Sequence, residues 1–266
     1  GLTGVSLTAQ SLAITGAAYD FAAATLAASS LTLGNIRVGA TTNLAVTNTL
    51  AANGNAAYQD KLAVAATSAN ARLAFVNPAD VAATASGNVG VTAAVAGSLA
   101  GTVNLALTSK ALTGTGLADL SLAPQSFTVT GTAFDYANAV VDTSALSFGV
   151  LHVGATAVAR TVSVENAVIT AANRQDRLTA VGSSALAGLT STTVTDLAAG
   201  SSQNLTITVD TATARSLAGN VSVALTSTNT VSGLDAKSLT AATVATTGLV
   251  YSGQSVWNTN GNGSWG

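Results

Sequence analysis

Cysteine and methionine are both absent from the 266 residues. Without cysteine, disulfides and thiolate-held metal sites are excluded. Position 1 is also not methionine, so a processed product or a fragment of a longer polypeptide is expected. No basic stretch followed by an apolar run opens the chain, and any signal peptide is expected to have been removed already.

Charge is scarce as well. Asp, Glu, Lys and Arg make up 8% of the chain and leave a net charge of -2, against about a quarter charged residues in ordinary soluble domains. Nine Lys and Arg are scattered with no run among them. A nucleic-acid partner is therefore not expected, because nothing concentrates positive charge against phosphate. Weak mutual repulsion between copies favours self-association.

Long apolar runs are missing too. The Ala-rich segment 21–36 is broken by Ser29, Ser30, Thr32 and Gly34, and no stretch of about 18 strongly apolar residues is present to cross a membrane as a helix. His152 is the single histidine and Glu165 the single glutamate. A general base needs a positioned partner, and a glycosidase pair needs two converging carboxylates. Neither pattern is present, so no catalytic residue, cofactor or metal ligand is expected.

What the chain does have is a repeat. "LTLGNIRVGAT" (residues 31–41) returns as "LSFGVLHVGAT" (146–156), and "ITGAAYDFA" from Ile14 returns as "VTGTAFDYA" from Val129, both at an offset of 115. "QDKL" from Gln59 meets "QDRL" from Gln175 at 116, and "SLAGTVNLALTS" from Ser98 meets "SLAGNVSVALTS" from Ser216 at 118. Matches that keep their order over a whole period record a duplication, with small insertions in loops.

The ends extend the pattern. Residues 1–10, "GLTGVSLTAQ", resemble "GLADLSLAPQ" from Gly116 and "GLDAKSLTAA" from Gly233, which places a module's last strand at the start of the chain. "TTGLVYSG" from Thr246 aligns its Gly248 and Tyr251 with Gly131 and Phe134, as the opening of a third repeat. The expected division is a terminal strand over 1–10, modules over 11–125 and 126–243, and a partial repeat over 244–266. Val5 and Leu7, together with Tyr251, Trp257 and Trp265, are the candidate assembly residues, the two tryptophans being the only ones in the chain.

Periodicity predicts strands. Val103, Leu105 and Leu107 share one face of "TVNLALTS", and Val221, Val223 and Leu225 do so in the second copy. A period of two is that of a half-buried strand. Several short strands in each 115 residues predict an all-β fold of two-sheet sandwiches. A short helix is the competing reading for the Ala-rich stretch 19–28. Asp60 and Asp176 are expected in local turns or in ion pairs with the adjacent Lys61 and Arg177, and Asp20 and Asp135 as caps of backbone N–H groups. Lys110, just after a strand, is weighed as one end of a covalent Lys–Asn staple and set aside, because the second module does not share it.

"LSFGVLHVGATAVARTVSVEN" (146–166) resembles the opening of immunoglobulin-like modules of the abnormal-spindle/Hydin-like and choice-of-anchor D group, which read as Phe-Gly, then Val-Gly, then a strand ending in Asn. The phrase at 31–48 is similar, with Leu33 in place of the aromatic. "SVWNTNGNGSWG" (255–266) looks like the Trp-Gly-rich phrases of large bacterial β-strand-repeat surface proteins. The resemblance implies tandem immunoglobulin-like β-sandwiches at a bacterial cell surface or outside the cell.

The function expected is a structural subunit of an extracellular fibre, sheath or surface layer. Copies would polymerise by β-strand addition, without nucleic acid and without insertion into membrane. The alternative is a surface adhesin or carbohydrate-binding array taking a glycan, with Tyr58 as its most obvious exposed aromatic.

Overall fold

The computed structural model describes residues 4–253, in two compact units. Among the described residues, the first takes in 4–32, 41–92 and 100–130; the second takes in 33–40, 93–99 and 131–253. In chain order the strands are β1 (Ala24–Leu26), β2 (Ser30–Arg37), β3 (Thr41–Asn48), β4 (Lys61–Ser68), β5 (Leu73–Val76), β6 (Ser86–Ala93), β7 (Gly97–Ser98), β8 (Gly101–Lys110), β9 (Leu120–Ser121) and β10 (Gln125–Phe134). They continue as β11 (Ala139–Val141), β12 (Leu146–His152), β13 (Val158–Asn166), β14 (Arg177–Ser184), β15 (Leu189–Ser191), β16 (Thr193–Leu197), β17 (Ser201–Val209), β18 (Arg215–Ser216), β19 (Gly219–Thr228) and β20 (Lys237–Tyr251). Single 3₁₀ turns lie at Ala56–Tyr58 and Ala172–Arg174.

Each half builds two sheets in the same order. The first half gives β1-β3-β6-β5 and β2-β10-β8-β4; the second gives β11-β13-β17-β15 and β12-β20-β19-β14-β16. A short edge strand that starts in one sheet and continues in the other, parallel to the last strand, makes this an immunoglobulin-like all-β fold.

The predicted alternation sets the cores. Val103, Leu105 and Leu107 are buried in β8, as are Val221, Val223 and Leu225 in β19, while Asn104, Ser222 and Ala224 face out. Leu178, Leu205, Ile207 and Leu217 are fully buried in the second core, beside Phe148. Each such side chain contributes about 1.5–3 kcal/mol relative to staying exposed. The stretch 19–28 holds β1 and no helix: Ala24–Leu26 pairs with Val46–Asn48, and tertiary pairing overrides the helix propensity of alanine.

The repeated phrase is a bulge and a turn. β12 runs parallel to β20, and its register shifts between Ser147 and Val150, around Gly149 at φ 69°. That left-handed conformation suits a residue without Cβ. Opposite it, a Cβ on Gly248 would meet the Cβ of Phe148 at 3.0 Å and the Gly149 carbonyl oxygen at 3.2 Å. In the first copy a Cβ on Gly131 would meet the Gly34 oxygen at 2.8 Å. The terminal Asn of the phrase is a buried hub. Asn166 Nδ2 donates to the carbonyls of Asp176 and Leu197, and Oδ1 accepts from the Asn138 N–H and Gln175 Nε2. Asn48 makes the same set with Asp60, Val81, Ala23 and Gln59.

The boundary placed at 125/126 falls within β10, which pairs Gln125–Val129 against Leu105–Gly101 of β8. Residues 244–251, read as the start of a third repeat, are the end of β20 and pair with both β19 and β12. No strand is assigned over residues 4–19, which covers the described part of the strand expected at 1–10.

Candidate assembly surfaces

At the offset of 115, residues 10–19 ("QSLAITGAAY") align with the whole of β10 ("QSFTVTGTAF"). In β10, Phe127 and Val129 are each 1% exposed. Their counterparts Leu12 and Ile14 are 85% and 88% exposed. The segment therefore carries the alternation of a last strand without a sheet to bury it. Val5 and Leu7 are similarly bare at 85% and 88%. They align with Leu120 and Leu122, whereas Leu12 and Ile14 align with the buried face of β10. The offset itself, carried to Phe127 and Val129, was the signal that identifies them.

Tyr251 lies at the end of β20, opposite His152 at the end of β12. Their rings meet edge to face with centroids 6.2 Å apart. Val150 and Leu249, another register pair, are 73% and 42% exposed on the same strand ends. His152 is thus an exposed edge residue. Trp257 and Trp265 lie outside the described residues. The structure brings Tyr251 to a strand end and leaves Val5 and Leu7 on the unpaired segment; it does not gather the three.

The carboxylates behave differently from the expected local pairs. In an extended chain, neighbouring residues point to opposite faces. Asp176 therefore points inward while Arg177 points outward, to Asp196 at 3.2 Å. Asp176 is instead met by Arg37, whose Nη2 lies 2.5 Å from Oδ2, both within the second unit. The same guanidinium donates to the carbonyls of Asp135 (3.4 Å) and Asp235 (3.1 Å) and lies 4.2 Å above the Tyr136 ring. Ser227 Oγ donates to Asp176 Oδ2 and the Ser232 N–H to Oδ1. A planar fork stacked on an aromatic face is what arginine offers and lysine does not.

Asp60 is the counterpart of Asp176 and is 3% exposed. Ser109 Oγ donates to its Oδ2 at 2.8 Å, as Ser227 does in the second unit, but Oδ1 has no hydrogen-bond partner among the described residues. The residue Asp60 lines a cavity of about 490 Å³ with Tyr19, Phe21, Leu117, Ala118 and Leu120. Asp20 and Asp135 take part through their backbones: each accepts from the N–H of the buried Asp, at 2.9 and 3.1 Å. Asp135 Oδ2 is also buried without a partner among the described residues.

Lys110 meets Asp119 at 3.0 Å on the surface. The Asp119 hydrogen bond raises the Lys110 pKa, and that bond together with the Ala111 N–H lowers the Asp119 carboxyl. Tyr58 is 44% exposed and packs edge to face on Tyr19, with centroids 5.5 Å apart. Among the described residues there is no group of three or more His, Cys, Asp or Glu placed to hold a metal ion, and no helix long and apolar enough to cross a membrane.

These features belong to an immunoglobulin-like β-sandwich protein. No family model matches the chain, and no curated protein matches its sequence. Solved structures similar to it include a protein of unknown function from Porphyromonas gingivalis W83, at 13% identity over 85% of this chain and 99% of that one, with a TM-score of 0.29. Titin is matched at 11% identity over 85% of this chain and 98% of that one, with a TM-score of 0.26. The Yersinia pseudotuberculosis adhesin InvE is matched at 12% identity over 84% of this chain and 58% of that one, with a TM-score of 0.23. The fold itself is defined by the strand order and register of the two halves.

Proposed function

We propose that this chain is a non-catalytic structural subunit of an extracellular bacterial fibre, sheath or surface layer, whose sandwiches join by strand addition. The observation that carries this reading is the contrast between Leu12 and Ile14, 85% and 88% exposed, and their buried counterparts Phe127 and Val129. A strand with unpaired N–H and C=O groups and an apolar stripe is a donor for a sandwich whose last strand is missing or released. In that place residues 10–19 would lie between a neighbour's counterparts of β8 and β2, as β10 does here. The low charge of the surface supports close packing of copies. The Phe-Gly and Val-Gly phrase, shared with the choice-of-anchor D group, supports a surface location.

Removing residues 1–19 is expected to leave folded chains that no longer form filaments or sheets in negative-stain micrographs. Assemblies unchanged by the truncation would overturn the reading.

A glycan-binding adhesin is the second reading. The Tyr19–Tyr58 ring pair and the exposed Phe21, beside the Asp60 cavity, support it. Specific signals on a glycan array, lost in Tyr58→Ala, would favour this reading over assembly.

A further inference from the structure

Glycine recurs at one place in all three copies of the last strand: Gly131 of β10 aligns with Gly16 at an offset of 115 and with Gly248 of β20 at 117. In the two paired copies the reason is steric. A Cβ on Gly131 would meet the Gly34 carbonyl oxygen at 2.8 Å and the Leu33 Cβ at 2.9 Å. A Cβ on Gly248 would meet the Phe148 Cβ at 3.0 Å, the Leu217 side chain at 3.1 Å and the Gly149 carbonyl oxygen at 3.2 Å. Gly34 and Gly149 stand at φ 64° and 69° in the edge strands β2 and β12. From the other side, the N–H groups of Leu99 and Leu217, each in a Ser-Leu-Ala-Gly phrase, donate to the carbonyls of Gly131 and Gly248. The last strand thus passes between an edge-strand glycine and that phrase, where backbone comes too close to leave room for a Cβ.

Gly16 meets none of this. A Cβ there would meet nothing within 4 Å, the residue is exposed, and its φ is not positive. Gly4, in the same unpaired segment, is equally open, but its counterparts Asp119 and Ala236 carry side chains. Ala17 corresponds to Thr132 and Leu249, so the next position also accepts side chains of several sizes. Nothing around Gly16 in this chain calls for glycine, whereas the groove of a last strand does.

We propose that Gly16 is the register key of strand addition, seating residues 10–19 of one copy under the Gly149 bulge of β12 in another, in the place of the end of β20. This deepens the assembly reading and rests on it. β10 holds its place in the first sandwich with Phe127 and Val129. β20 holds its place with Val244 and a buried threonine, Thr246, whose hydroxyl donates to the Leu217 carbonyl. At those two positions the donor segment brings Leu12 and Ile14, which carry more apolar surface into the core. Ala18 in the place of Val250 offsets part of that gain. A slip by one residue would turn Leu12 and Ile14 outward, and a slip by two would bring Ile14 or Ala18 to the gap that admits only glycine.

The test is self-association of the full chain, by sedimentation velocity across a concentration series. Gly16→Ala is expected to weaken association by about tenfold or more, the scale of one overpacked Cβ. Gly4→Ala and Ala17→Thr are expected to stay within about twofold of the unaltered chain. Thermal unfolding of dilute, monomeric Gly16→Ala should match that of the unaltered chain, because its Cβ meets nothing there. Association of Gly16→Ala equal to that of the unaltered chain would overturn the proposal. So would an equal loss in Gly4→Ala, which would trace the effect to the chain's flexibility, or a lowered unfolding temperature in the Gly16→Ala monomer, which would assign the glycine to this chain's own fold. Loss of assembly on removing 1–19, with Gly16→Ala assembling normally, would reject the key and leave strand addition standing. Assembly unchanged by that truncation, or a chain that stays monomeric throughout, would reject strand addition and the key with it.

Discussion

Arg37 Nη2 lies 2.5 Å from the fully buried Oδ2 of Asp176, although 139 positions separate them in sequence. Arg37→Leu would leave that carboxylate buried without its counter-charge. Breaking one side of such a pair costs about 3–5 kcal/mol, and urea unfolding of the second unit should report it. Arg37→Lys should recover only part, because the stack on Tyr136 and the second carbonyl bond are lost. A loss below about 1 kcal/mol for Arg37→Leu would show the pair to be idle.

Asn166 satisfies four partners from one side chain, two carbonyls and two N–H donors. Asn166→Leu leaves all four buried groups without it. At about 1–3 kcal/mol per unsatisfied group, with partial relaxation, a total of about 3 kcal/mol or more is expected. Asn48→Leu should act in the first unit in the same way. Hydrogen exchange resolved by segment is the check, with increased exchange expected near the altered hub.

Gly131→Ala tests the bulge. Its Cβ would stand 2.8 Å from the Gly34 carbonyl oxygen and 2.9 Å from the Cβ of Leu33, and backbone has little room to yield. Overpacking of this kind costs about 1–3 kcal/mol. Gly149→Ala meets nothing within 4 Å and is strained by φ 69° alone, so about 1–2 kcal/mol is expected. Thermal unfolding of the two variants should show both losses.

Lys110 and Asp119 give a pH signature without a large energy. Asp119 is lowered in the folded chain by Lys110 and the Ala111 N–H, so its contribution is present above the ordinary carboxylate range and fades as pH falls through its folded value. Lys110 is raised, so its contribution holds below the ordinary lysine range and fades as pH rises through its folded value. Carboxyl resonances followed by NMR should show Asp119 titrating low, and Lys110→Ala should return it part of the way, the Ala111 bond remaining. No change in that variant would contradict the assignment.

The fold was legible because burial follows a period of two: the faces predicted for β8 and β19 are those observed. An internal repeat sets a period without setting its phase, so it does not by itself fix where one module ends. β10 begins at Gln125 and pairs back onto β8. The same phase decides which residues of the first segment align with a buried strand: Leu12 and Ile14 fall on Phe127 and Val129, while Val5 and Leu7 fall on Leu120 and Leu122. The Arg37–Asp176 pair could not be read locally either, since Arg177 stands next to Asp176 in sequence but on the opposite face of the strand.

Amide hydrogen exchange across residues 10–19, in free chains and in assembled material, probes strand addition at the backbone itself. Assembly should slow exchange at successive amides there, since a strand lies on each side, with Leu12 and Ile14 turning from exposed to buried side chains. Amides that exchange as fast in the assembled state as in free chains would contradict it.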